Sequence, residues 1–140
     1  MYKVTLAFTK HYPAILKMDA ELNDQPWTDT ELKALMCDVK NTFYVVEDGE
    51  ETRGFIWWRV EPDKFVLNRI VVDSDFWRKG FGTALLKRLK SKCGLAKAAR
   101  PMLELYVDEE NLRAQLFFKS HGFLATEVVG NEYKMIWRKK

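Results

Sequence analysis

One stretch restricts the fold of this chain more than any other: Val72-Asp73-Ser74-Asp75-Phe76-Trp77-Arg78-Lys79-Gly80-Phe81-Gly82-Thr83. An apolar run from Phe65 to Val72 ends here in a short polar loop. Two basic residues precede Gly-x-Gly, and a helical pattern follows at once. The glycines let the backbone turn tightly and approach a ligand without interference from Cβ. Free N–H groups at a helix start, aided by the helix dipole, favour an anion such as a phosphate. The backbone of Arg78, Lys79, Gly80, Phe81, Gly82 and Thr83 is therefore a candidate pyrophosphate cradle. The loop lacks Gly-x-x-x-x-Gly-Lys-Ser/Thr and follows no βαβ array, which argues against other nucleotide-binding loops.

The flanking sequence supplies the rest of the fold. Tyr2 to Phe8 alternates as a strand does, and Pro13 opens a helix whose apolar positions Ile15, Leu16 and Leu22 lead to the Asn23-Asp24-Gln25-Pro26 break. Thr28-Asp29-Thr30-Glu31 is a capping box, with Trp27 and Leu32 placed as a hydrophobic staple, and predicts a helix from Asp29 to Asp38. Thr42 to Glu47, Arg53 to Val60 and Lys64 to Val72 read as an antiparallel meander, turned at Asp48-Gly49 and Glu61-Pro62-Asp63. The helix after the loop runs from Gly80 to Lys92, with Phe81, Ala84, Leu85, Leu89 and then Cys93 at helical spacing and Gly94 as its stop. Met102 to Asp108 is a strand, and Asn111 to Ser120 a helix stopped by His121-Gly122. Phe123 to Val129 and Glu132 to Trp137 form a hairpin across Gly130-Asn131. The expectation is one α/β (α+β) domain over residues 1–140, with a mixed, largely antiparallel sheet of about seven strands, about four helices and one crossover helix.

Nine Phe, five Trp and five Tyr supply bulk for the core of such a domain. The net charge of +3 is spread along the chain apart from Arg138-Lys139-Lys140, unlike the basic stripe of a nucleic-acid binder, yet it suits an anionic ligand. No apolar run nears the ~20 residues that span a bilayer, and no segment resembles a secretion signal, so the expectation is a cytoplasmic protein with no membrane partner. Cys37 and Cys93 have no metal-type spacing, and no metal site is expected. Monomer and homodimer both stay open.

The strand, the Arg78-Lys79-Gly80-Phe81-Gly82 loop and its helix resemble the acetyl-CoA-binding motif of GNAT-type N-acetyltransferases. Leu105-Tyr106-Val107, Asn111, Ala114, Phe117-Phe118, Gly122 and Phe123 are similar to the family's downstream strand–Asn–x–x–Ala…aromatic…Gly-Phe pattern. Within the family, Pro26-Trp27, Val72 to Phe76 and Asn111 to Phe123 resemble the ribosomal-protein alanine acetyltransferase branch. The chain departs from the family at four positions. Trp77 stands where the loop usually begins with Gln or Arg, and Ser74 stands where a proline often follows the strand. Tyr106 and Phe118 replace the Glu base and Tyr acid of the alanine acetyltransferase branch.

The resemblance implies a GNAT-like fold and direct transfer of acetyl from acetyl-CoA to a primary amine, on a small molecule or a protein N-terminus. The same cradle without turnover, an acyl-CoA-binding module, is the alternative. The loop amides would hold the pyrophosphate, the strand around Ile70, Val71 and Val72 the pantetheine arm, and Asn111 and Phe118 would complete the cofactor site. Asn111 also suits a helix N-cap. Alternation puts Glu104 and Tyr106 on one face of their strand and Leu103, Leu105 and Val107 on the other. Tyr106 is the candidate to relay a proton or protonate the leaving thiolate, and Glu104 the candidate base acting through a water. A tyrosine, with pKa ~10, is a poor base at neutral pH, which favours an acceptor amine of low pKa. His121 reads as a helix-end cap or surface residue, His11 as a loop residue, and Lys87, Arg88 and Lys90 as a solvated helix face. Trp57 and Trp58 point to opposite faces of the sheet, one into the core and the other a candidate wall of the acceptor site.

Overall fold

A computed structural model describes residues 2–77, 79–95 and 101–139. The elements in chain order are β1 (Tyr2–Leu6), α1 (Tyr12–Leu22), α2 (Asp29–Cys37), β2 (Asn41–Asp48), β3 (Glu51–Val60), β4 (Phe65–Val72), α3 (Phe81–Gly94), β5 (Met102–Asp108), α4 (Leu112–Ser120), β6 (Leu124–Val129) and β7 (Glu132–Arg138). The strands form one sheet in the order β1-β2-β3-β4-β5-β7-β6. Every neighbouring pair is antiparallel except β4–β5, which α3 joins as a crossover. This is the mixed, largely antiparallel sheet with four helices that the sequence predicts.

Alternation along the strands decides which face each helix covers. Tyr44, Val46, Ile56 and Trp58 pack with Leu103, Leu105 and Val107 under α3 and α4, against Leu85, Leu86, Leu89 and Phe118. The opposite residues of the meander, Phe43, Val45, Phe55 and Val71, pack under α1 and α2 against Ile15, Met18 and Leu32. Trp58 therefore lies in the first core, and Trp57 stacks on Phe43 beside Trp27 on the second face. No helix of the described residues is long and apolar enough to cross a membrane.

The start of α2 is built as the capping box requires. Glu31 N–H donates to Thr28 Oγ1 at 3.1 Å, and Thr28 N–H donates to Glu31 Oε1 at 3.0 Å. Three local expectations are corrected. β1 stops at Leu6, and a tight helical turn over Thr9–His11 buries His11, which is no loop residue. Its Nδ1 accepts the Phe8 N–H at 2.8 Å, and its Nε2 lies 3.4 Å from Glu47 Oε2. α3 ends at Gly94 as expected, and Leu95 follows as the cap and donates its N–H to Lys92 O at 3.2 Å. Lys90 is not a freely solvated residue. Its ammonium bonds the His121 carbonyl, and burial lowers its pKa.

Candidate functional site

β4 and β5 pair only at Phe65/Leu103 and Val66/Glu104 and then diverge. A bulge helps to open the gap. The β3–β4 register jumps from Trp57/Arg69 to Trp58/Leu67, which leaves Asn68 as the extra residue, and a bulge bends its strand. Beyond it, Asp73 N–H donates to Arg53 O at 2.8 Å, making Arg53/Asp73 a hydrogen-bonded antiparallel pair. Such pairs alternate, so Phe55/Val71 and Trp57/Arg69 are hydrogen-bonded, whereas Gly54/Val72 and Ile56/Ile70 are not. Ile70 and Val72 consequently turn their N–H and C=O groups toward the gap. Val71 bonds β3 through its backbone and buries its side chain in the second core. Of the three expected pantetheine-binding positions, Ile70 is open, Val72 offers its N–H while its C=O accepts the Trp77 Nε1–H, and Val71 is engaged with β3.

The glycine loop meets the mouth of this gap. Gly80 caps α3 with φ of +85°, a left-handed conformation that an L side chain rarely adopts. The first intrahelical bond of α3 runs from Ala84 N–H to Gly80 O at 3.0 Å. The amides of Phe81, Gly82 and Thr83 precede it and have no helical partner among the described residues. The Lys79 amide is spent within the loop on Phe76 O at 3.4 Å, and Arg78 lies outside the described residues. The Phe81 ring is buried in the first core, so only its backbone can serve the cradle. Three convergent amides on a 14-residue helix suit a phosphate group.

α4 covers this loop with one row of side chains. Phe117 comes within 3.4 Å of the position a Cβ on Gly82 would take, with Val72 3.7 Å from the same point. One turn on, His121 Nε2 lies 3.1 Å from Thr83 Oγ1, while its Nδ1 lies 2.8 Å from Phe117 O. One turn back, the Arg113 guanidinium lies 3.8 Å from the centre of the Trp77 ring. Trp77 is itself fixed, since its Nε1–H donates to Val72 O at 2.8 Å. Phe118 turns into the first core against Phe123, whereas its neighbour Phe117 faces the loop. Asn111 caps α4, its side chain accepting the Ala114 N–H at 3.1 Å. Sequence reading missed Phe117 and Arg113. The spacing Arg113, Phe117, His121, four residues at each step, is the signal that could have found them.

The gap leads through the sheet to the face that carries Glu104 and Tyr106. Tyr106 lies two residues beyond the last β4–β5 pair and is 42% exposed. Glu104 is 3% exposed, with Lys64 and Lys134 ammonium groups each at 3.1 Å. Burial pushes the Glu104 pKa up, but hydrogen bonds from Lys64 and Lys134 outweigh it and hold the carboxyl below its usual value. The meander side of the same face is closed by Arg69, which bonds the fully buried Asp19 and lies 4.1 Å over the Trp27 ring. Asp19 also accepts the Trp27 N–H at 2.8 Å and an Asn23 amide hydrogen at 2.6 Å, which fixes the α1–α2 connection onto β4. The amides at the start of α3 on one face and a tyrosine and charged groups on the other thus meet at one opening.

Comparison with known proteins agrees with this geometry. An uncharacterized N-acetyltransferase of Methanocaldococcus jannaschii is 29% identical over 144 aligned positions; the match takes in 98% of this chain, which spans 59% of the relative's length. The [ribosomal protein bS18]-alanine N-acetyltransferase of Escherichia coli is 27% identical over 125 positions, covering 89% of this chain and 82% of that enzyme. The crystal structure of the PaiA N-acetyltransferase of Thermoplasma acidophilum in complex with coenzyme A shares the fold, with a TM-score of 0.82 over 99% of both chains at 15% identity. Residues 10–123 match the model of the acetyltransferase (GNAT) family. That match takes in the opening, the glycine loop and α4 together, and on it this chain belongs to the GNAT family of acetyltransferases.

Proposed function

We propose that this protein is an acetyl-CoA-dependent N-acetyltransferase that acetylates a primary amine of low pKa, such as a peptide α-amino group or a small-molecule amine, by direct transfer. One observation carries the reading: β4 and β5 separate beside an α3 start whose first amides have no partner among the described residues. Membership of the GNAT family supports it, and so does a fold shared with an N-acetyltransferase solved with coenzyme A.

The residues suit such a donor. The amides of Phe81, Gly82 and Thr83 would hold the pyrophosphate, and the open edge at Ile70 and Val72 would bond the pantetheine amides. When bound, acetyl-CoA supplies the activated thioester. Backbone N–H groups on the β4 edge would polarise its carbonyl, and the gap would align it with an amine arriving from the Tyr106 face. As the amine nitrogen attacks and the C–S bond breaks, Tyr106 would donate its phenolic proton to the departing thiolate and recover one, through water, from the proton the acylated nitrogen loses; Phe118 has no proton to give. Glu104 is committed to two lysines and serves on this reading as an anchor of β5 rather than the base. The acceptor must then supply its own neutral fraction, without a protein base to deprotonate it. An α-amino group is roughly 10–20% neutral at pH 7, against well under 0.1% for a lysine.

Thermal unfolding with acetyl-CoA, CoA and ATP tests the donor. At ~100 times its dissociation constant acetyl-CoA should add ~2.7 kcal/mol of stability, and ATP should add little. Thiol release with peptides carrying free α-amines, against Nα-blocked lysine peptides, tests the acceptor. Efficient lysine turnover at pH 7 would refute a low-pKa acceptor. Binding without thiol release across an amine panel would favour an acyl-CoA-binding module.

A further inference from the structure

We infer that Arg113 is a donor-binding residue, supplying from α4 the side-chain cation that meets the pyrophosphate of the donor; this rests on the acetyl-CoA reading above. Arg113 is exposed on the first turn of α4, and among the described residues no carboxylate lies within ion-pair distance of it. It is nevertheless held in place. Its guanidinium lies 3.8 Å over the Trp77 ring, and Trp77 is fixed by its 2.8 Å bond to Val72 O. Stacking uses the face of the guanidinium and leaves its edge, with up to five N–H donors, free for an anion. The position is next to the cradle. Trp77 lies three residues before Gly80, and Phe117, one turn along α4 from Arg113, touches the space over Gly82.

This arrangement has a chemical consequence. Three backbone amides give hydrogen bonds and partial charge but no net charge, whereas a pyrophosphate brings at least two negative charges. A stacked guanidinium supplies charge-assisted hydrogen bonds, and its stem is already ordered before the ligand arrives. Lys79 is the other described cation of the loop, but no stacking contact or ion pair holds its exposed side chain among the described residues. Arg113 therefore makes the site discriminate phosphorylated pantetheine donors from phosphate-free ones.

Calorimetric titration with CoA, dephospho-CoA and pantetheine tests the assignment. Arg113→Ala should weaken CoA and dephospho-CoA alike by about 10- to 100-fold, the worth of one hydrogen bond to a charged group. Pantetheine affinity should not move, the unliganded melting temperature should fall only slightly with the lost Trp77 contact, and Arg113→Lys should recover part of the loss in CoA affinity. An unchanged CoA affinity in Arg113→Ala would overturn the inference. So would an equal loss for pantetheine, which would mean that Arg113 only shapes the cleft. A loss with CoA but not dephospho-CoA would overturn it as well, since the contact would then be to the 3′-phosphate. Wild-type protein that binds none of the three would instead sink the acetyl-CoA reading itself.

Discussion

Glu104 illustrates how position in the sequence and chemical role separate at a single residue. Alternation correctly puts it on the face of Tyr106, away from Leu103 and Leu105 in the core. Two facts beyond its own strand decide what it does there: Lys64 enters from the β3–β4 turn and Lys134 from β7. A carboxylate between two ammonium groups is stabilised in its charged form, and its pKa is lowered despite burial. The sign of the pH dependence follows. A group whose folded pKa is depressed contributes stability that is complete above its unfolded pKa, ~4.3 for Glu, and is lost as pH falls from there through the folded value. Glu104→Gln should therefore cost about 1–3 kcal/mol at pH 7, less than for a fully buried pair because both lysines stay partly hydrated. The gap between wild type and variant should close as pH drops below about 4. Urea unfolding at pH 7 and pH 3.5 measures it. A gap of constant size would mean that the two lysines do not depress the carboxyl.

The elements themselves were legible because their signals are local. The capping box fixes the start of α2, the turn residues bound the meander, and spacing in Leu85, Leu89 and Cys93 gives α3 its buried face. The opening between β4 and β5 was not legible. It depends on where two strands 30 and more residues apart stop pairing, and on Asn68 being left over in a register that only the partner strand defines. The same limit explains why Phe118 looked like a site residue. The pattern identifies a pair of aromatics, but the direction of α4 decides that Phe117 meets the loop and Phe118 the core. Gly54 tests how strictly β3 sets the shape of the β4 edge. A Cβ there would meet Val71 O at 2.8 Å and Val46 Cγ1 at 3.1 Å, so one strand must shift. Gly54→Ala should cost about 1–3 kcal/mol and weaken CoA binding with it. Gly49→Ala, in the open β2–β3 turn with φ of +66°, is the matched control. It should lose about 1–2 kcal/mol through backbone strain alone and leave CoA affinity unchanged. Equal CoA binding by both variants would mean that the open edge tolerates displacement of β4.

Across the whole molecule the gap divides one sheet into two unequal parts. The meander with β1 and helices α1, α2 and α3 lies on one side, and β5, β7, β6 and α4 on the other. They are joined by the two residue pairs of β4 with β5, by the shared core under α3, by contacts of α4 and His121 with the glycine loop and α3, and by the Lys64–Glu104 bridge. A donor threaded through the gap would bond the edge of one part and touch α4 of the other, so its binding should tighten their union. Amide exchange can separate this local effect from general stabilisation. In the free protein Ile70 and Val72, which face the gap, should exchange much faster than Val71, which bonds β3. Saturating CoA at ~100 times its dissociation constant should slow globally exchanging amides such as those of β2 by about 100-fold, the equivalent of ~2.7 kcal/mol. Ile70 and Val72 should gain more protection than their fast free-state exchange would reach through that general factor alone, because the ligand replaces their missing strand partner. If they gain no more than β2, the donor does not lie along the β4 edge.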